Sequence, residues 1–174
     1  MKLFYTYDEF ESDARTLAKS LKNEGFDAII GVARGGFFLA ARLAYLLGIR
    51  ELHSVSVTQY KGSEQGSVNI CSLPKLTGAK KVLVCDDICD SGACLSALMS
   101  ELRQSSSSEF GSATLFYKST AIFKPDFYAK QALGWIVFPW EIDALGEEFW
   151  HNCKKVGLIS PTFCFYLCSF FNLK

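Results

Sequence analysis

Two apolar runs limit most strongly what this chain can become. The strand-like stretches Asp27–Val32, "DAIIGV", and Lys81–Cys85, "KVLVC", are continuously apolar at their centres and do not alternate. A strand without a polar side must be buried on both faces, which is the condition of a parallel sheet covered by helices. Each run ends in a tight turn followed by a helical pattern: "ARGG" at 33–36 leads into "FFLAARLAYLLG", closed by Gly48, and the aspartate-rich turn after Cys85 leads into a helix over about Gly92–Gln104.

Other segments fit the same plan. Thr6 and Glu9 have the spacing of a capping box, and Phe10, Ala14, Leu17, Ala18 and Leu21 recur at helical intervals, so a first helix is expected to end near Gly25. Leu52–Thr58, "GSATLFY" at 111–117 and "GWIVF" at 134–138 read as strands. Tyr60–Lys80 shows neither period and is expected to be a long functional loop. The fold class is α/β, a mostly parallel sheet flanked by helices. Such sheets bind ligands beyond the carboxyl ends of their strands, so "ARGG" and the aspartate turn are expected to line one cleft.

Composition narrows the function. With 174 residues, 49% of them apolar, the chain suits one domain. Its 18 basic and 18 acidic residues cancel, so no overall field recruits nucleic acid or an anionic membrane, and small-molecule substrates are expected. The first twenty residues carry four acidic side chains and no continuous apolar core, which argues against a secretory signal and for a cytoplasmic protein. Seven cysteines without a C-x-x-C pair, beside two histidines, favour neither a disulfide framework nor a zinc site. Cys85, Cys89 and Cys94 read as small apolar fillers.

The stretch "DDICDSGAC", 86–94, carries the chemistry. Backbone N–H groups of Asp90, Ser91, Gly92, Ala93 and Cys94 can converge on an anion at a helix N-terminus, which suits a phosphate monoester. Asp86 and Asp87 would repel that anion, so they are expected to meet hydroxyls or a magnesium ion instead. Aspartate often serves only as a turn former or cap, but three at one strand terminus need a cation or ligand donors to offset their repulsion. A sugar phosphate satisfies both demands.

Apolar residues, two acids, two variable residues and then D-[ST]-G resemble the phosphoribosyl-pyrophosphate signature of the type I phosphoribosyltransferases. "ARGG" resembles that family's pyrophosphate loop, and "GWIVFPWE" at 134–141 the purine-binding segment of its bacterial xanthine-guanine (6-oxopurine) members. The resemblance covers residues 1 to about 143 and implies a domain over 1–143, with a small base-binding hood at 118–143. It implies transfer of a phosphoribosyl group to a 6-oxopurine (guanine, xanthine or hypoxanthine), with Mg2+ and in a homo-dimer or homo-tetramer. Asp86 and Asp87 would hold the ribose hydroxyls, with Asp87 also near the metal. Asp90 would be the catalytic acid or base at purine N7, and the backbone from Asp90 through Ser91, Gly92 and Ala93 to Cys94 would hold the 5-phosphate. Arg34 and Gly35 would hold pyrophosphate, with a cis peptide between Ala33 and Arg34. Lys118 would read the 6-oxygen, Trp135 would stack on the base and the Ile136 backbone would meet its edge. Tyr60 and Lys61 are the expected contacts of a closing lid.

Two features depart from that pattern. Cys94 stands where the phosphate turn usually ends in a hydroxyl residue, which removes one good donor. The extension 144–174 carries a mainly apolar run over 156–173, interrupted by Pro161 and Asn172. Its length approaches that of a membrane span, but the interruptions favour packing on the core or at a subunit interface. Two other functions remain open from sequence alone: a non-catalytic regulator sensing phosphoribosyl pyrophosphate or a nucleotide, and a transferase for another base.

Overall fold

The computed structural model describes residues 2–59 and 68–141. It divides into two compact units, residues 1–136 and 137–174. The first holds, in chain order, β1 (Lys2–Phe4), α1 (Tyr7–Leu21), β2 (Ala28–Ala33), α2 (Gly35–Leu47), β3 (Glu51–Gln59), β4 (Val68–Cys71), β5 (Lys81–Cys89), α3 (Ala93–Ser105), β6 (Glu109–Tyr117), β7 (Phe127–Gln131) and the start of β8 (Trp135–Val137). Of the second unit, only 137–141 are described. There the Glu141 carboxylate accepts from the Phe138 amide at 3.2 Å, and the Phe138 and Trp140 rings stack at 5.0 Å.

Six strands form one sheet in the order β4-β3-β2-β5-β6-β7, and β1 and β8 form a separate two-stranded ribbon. All neighbours in the large sheet are parallel except the β3–β4 pair. From β2 the chain crosses to β3 on one side, and from β5 to β6 on the other. The crevice between the carboxyl ends of β2 and β5 is therefore the switch point at which open α/β sheets bind ligands. Alternation along the strands divides the core. Ala28, Ile30, Val32, Val82 and Val84 pack with Leu95, Leu98, Met99 and Leu102 of α3. On the opposite face Gly31 meets α2 so closely that a Cβ there would lie 2.8 Å from the Ala40 Cβ.

The capping box of α1 is complete, with Thr6 Oγ1 accepting from the Glu9 amide at 3.2 Å and Glu9 Oε2 from the Thr6 amide at 2.8 Å. Three expectations need correction. Tyr60–Lys80 is not without structure, because Val68–Cys71 forms β4, antiparallel to β3. The third strand does not stop at Cys85; it runs on to Cys89, since β6 supplies a ladder partner opposite Asp86, Ile88 and Cys89. Gly35 and Gly36 are not a turn before α2 but its first residues. Lid contacts Tyr60 and Lys61, and the extension 144–174, lie outside the described residues.

Candidate active site

At the carboxyl end of β2 the Ala33–Arg34 peptide is cis, and Arg34, exposed, stands at the N-cap position of α2 without a side-chain cap bond. The two glycines that follow allow the helix to approach β5. A Cβ on Gly35 would fall on the Asp87 carboxylate, and one on Gly36 would lie 2.6 Å from the Asp86 Cα and the Cys85 carbonyl oxygen. The two loops singled out in the sequence are thus in contact.

Asp86 and Asp87 each accept from the next backbone amide, Asp86 Oδ1 from Asp87 N at 2.9 Å and Asp87 Oδ1 from Ile88 N at 2.8 Å. Burial, and after it the charge of Asp87, pushes the Asp86 carboxyl well above the usual carboxylate range. A carboxylate so placed gains from any hydroxyl donor or cation that enters beside it. Thr114 stands opposite Asp86 in the β5–β6 register, is fully buried, and its Oγ1 has no hydrogen-bond partner. Sequence reasoning did not single it out.

The thiols around this strand end are held in the protonated form. Burial pushes Cys89 up to about 11, and burial with the nearby Asp86 charge raises Cys94. Cys85 is fully buried and is also pushed up. Cys89 Sγ donates to the Phe123 carbonyl at 3.1 Å, which stitches the segment after β6 onto β5.

After Cys89 the chain turns through Asp90 and Ser91 into α3, whose N-cap Gly92 takes φ 81° and has no side-chain cap bond. Glycine is needed twice over at that position, because a Cβ would also lie 2.7 Å from the Phe123 nitrogen. The Ala93 amide reaches Ser91 Oγ at only 3.3 Å. Gly92 itself supplies no capping side chain, and a helix N-terminus of this kind is the usual setting for an anion. Above it, the Ile122 amide donates to the Ser91 carbonyl at 2.9 Å and the Lys118 amide to the Cys89 carbonyl at 3.0 Å.

Lys118 and Asp90, far apart in sequence, meet as an ion pair with Nζ–Oδ1 2.6 Å. Trp135 is not a core residue, being 62% exposed, whereas Ile136 beside it is buried. Among the described residues no three or more His, Cys, Asp or Glu side chains cluster as a metal cage, and no helix is long and apolar enough to cross a membrane.

A family model described as phosphoribosyl transferase domain matches residues 5–145. The chain belongs to that family. It is accordingly a phosphoribosyltransferase, and its strand-end acids and uncapped α3 stand in the family's fold.

Among relatives, a xanthine-guanine phosphoribosyltransferase from Gluconobacter oxydans is 32% identical over 143 residues, 78% of this chain and 82% of the relative. One of the same description from Cereibacter sphaeroides is 29% identical over 147 residues, 79% of this chain and 85% of the relative. Among solved structures, the Helicobacter pylori xanthine-guanine-hypoxanthine phosphoribosyltransferase superposes with a TM-score of 0.78 at 31% identity, over 85% of this chain and 99% of that one. A Neisseria gonorrhoeae protein with bound ppGpp gives 0.68 at 28% identity, over 90% and 97%.

Proposed function

We propose that this phosphoribosyltransferase joins a 6-oxopurine to phosphoribosyl pyrophosphate, releasing pyrophosphate and a nucleoside 5'-monophosphate in purine salvage. The observation that carries this reading is the uncapped, glycine-started N-terminus of α3 set directly after the acids of β5. Amides from Asp90 to Cys94 bind the 5-phosphate, and Asp86 and Asp87 accept from the ribose hydroxyls. Arg34 and the amides of Gly35 and Gly36, at the start of α2, hold the departing pyrophosphate. The names of the relatives support the choice of base.

The donor set also fits Mg2+, which takes one or two carboxylates and completes its coordination with substrate phosphates. Asp87, with Asp86 beside it, would hold the ion against the diphosphate; when bound, it neutralises charge developing on the leaving group.

The Asp90–Lys118 pair explains both proton transfer and base choice. Without a base, the lysine is held by Asp90 at 2.6 Å. A 6-oxygen accepts from the Lys118 ammonium in exchange, and Asp90 is released to take the N7 proton as N9 bonds to C1 of the ribose and the C1–pyrophosphate bond breaks. A 6-amino group offers no acceptor, so adenine would break the ion pair without compensation. Trp135 supplies an exposed ring for stacking, and the Ile136 backbone its edge contacts.

Incubating the chain with phosphoribosyl pyrophosphate, Mg2+ and guanine, xanthine, hypoxanthine or adenine, and following nucleotide formation, tests this. The oxopurines should be consumed and adenine should not. Asp90→Asn should lower kcat by about 10²- to 10⁴-fold with little change in donor KM. Preference for adenine, or no nucleotide from any base, would overturn the reading. A second ligand is favoured by the ppGpp bound to the Neisseria gonorrhoeae relative. If the same cleft takes it in this chain, ppGpp added to the assay competes with the donor.

A further inference from the structure

Asp13 is the one charged residue among the buried polar side chains of the described residues, 8% exposed and outside the cleft. A buried carboxylate is costly unless donors surround it. Two reach the same oxygen: the Tyr5 hydroxyl donates to Asp13 Oδ2 at 2.6 Å, and Lys130 Nζ lies 2.8 Å from it. The Lys130 ammonium also sits 5.5 Å from the Tyr5 ring centroid. Tyr5, 3% exposed, packs edge-on against Phe116 at 4.9 Å, and Phe116 faces Lys130 in the β6–β7 register.

The three residues come from three places with one thing in common. Asp13 lies on α1, which is fixed by its capping box and by the Glu11–Arg42 pair to α2. Tyr5 directly follows β1, and Lys130 lies on β7, the strand that feeds β8. The cluster therefore grips both chain segments that enter the β1–β8 ribbon. A two-stranded ribbon is marginal by itself, and β1 brings little burial of its own, with Lys2 and Leu3 exposed. That ribbon carries Trp135.

We infer that the Tyr5–Asp13–Lys130 cluster sets the position of the ribbon bearing Trp135, so that Tyr5 and Asp13 are positioning residues for the base. This rests on the reading of Trp135 as the surface on which the base stacks. Burial beside Asp13 also pushes the Tyr5 phenol above the usual tyrosine range, so it stays a donor at any physiological pH.

Steady-state kinetics of the full chain test it through the split between the two Michaelis constants. Tyr5→Phe removes one hydroxyl and keeps the ring against Phe116. It should raise the oxopurine KM by about three- to tenfold, as a hydrogen bond to a charged group is lost and the competent ribbon becomes less populated. Donor KM and kcat at saturating base should stay within about twofold. Asp13→Asn should act in the same direction; if it does not fold, Tyr5→Phe carries the test. Trp135→Ala, measured alongside, should raise the oxopurine KM at least as much. If Trp135→Ala acts but Tyr5→Phe moves neither constant, or both equally, the positioning role is overturned while the stacking surface stands. If Trp135→Ala leaves the oxopurine KM unchanged, the stacking surface fails and this inference with it.

Discussion

Asp86, proposed above to meet the ribose hydroxyls, sits where its charge costs stability. Its carboxyl is raised by burial and by Asp87, so the folded chain binds that proton more tightly than the unfolded chain does. Stability therefore falls as pH rises from the ordinary carboxylate range through the folded-state value, and the deficit persists at neutral pH. Asp86→Asn removes the charge and nearly keeps the shape. At pH 7 to 8 the variant should melt above the parent, by roughly 2–4 °C for each kcal/mol recovered in a domain of this size. The gain should shrink as pH is lowered and vanish toward about 3, below the ordinary aspartate value, where the parent carboxyl is largely protonated in both states. Melting curves across pH check this, and a gain that does not depend on pH would refute the Asp86 charge as its cause. Turnover should be lost in the same variant, a stabilised protein with a damaged site.

At the scale of elements, the site exists because α2 starts against the end of β5. Gly35 has an ordinary negative φ, so alanine there suits the backbone and improves helix propensity by up to about 1 kcal/mol. Its Cβ would nevertheless fall on the Asp87 carboxylate. Gly35→Ala should thus melt within a few degrees of the parent and lose about 10- to 100-fold in kcat/KM for the donor, as measured by calorimetry and initial rates. The elements that build this contact were largely legible in the sequence. The capping box and apolar period announced α1, and the continuous apolar cores of β2 and β5 announced a doubly covered parallel sheet. β1, β4 and β7 were not legible: three to five residues long, lying at an edge or in a ribbon, they show too few periods to register. Aspartate is depleted in strands, so local preference ended β5 at Cys85, whereas pairing with β6 carries it through both acids. The resemblance put Asp90 and Lys118 at neighbouring atoms of the purine, but their direct ion pair was not read, since no local rule says which lysine a folded sheet brings to a given carboxylate.

Across the whole sheet, β2 and β5 are neighbours, and their helices leave from the same edge to cover opposite faces. Two helix N-termini, neither with a side-chain cap bond, therefore flank one crevice. The chain carries no net charge, so attraction for an anionic donor is local to these termini and to Arg34. The two anion pockets proposed at these termini should then be separable. In the parent chain, pyrophosphate and a nucleoside monophosphate should each raise Tm, by about 2.7 kcal/mol of stabilisation at a hundred times Kd. Arg34→Ala removes the cation at the α2 terminus and leaves the α3 turn untouched. The variant should lose most of the pyrophosphate-induced shift and keep the shift from the nucleoside monophosphate. Equal loss of both would mean that the two termini form a single anion site, and the division of labour between α2 and α3 would have to be abandoned.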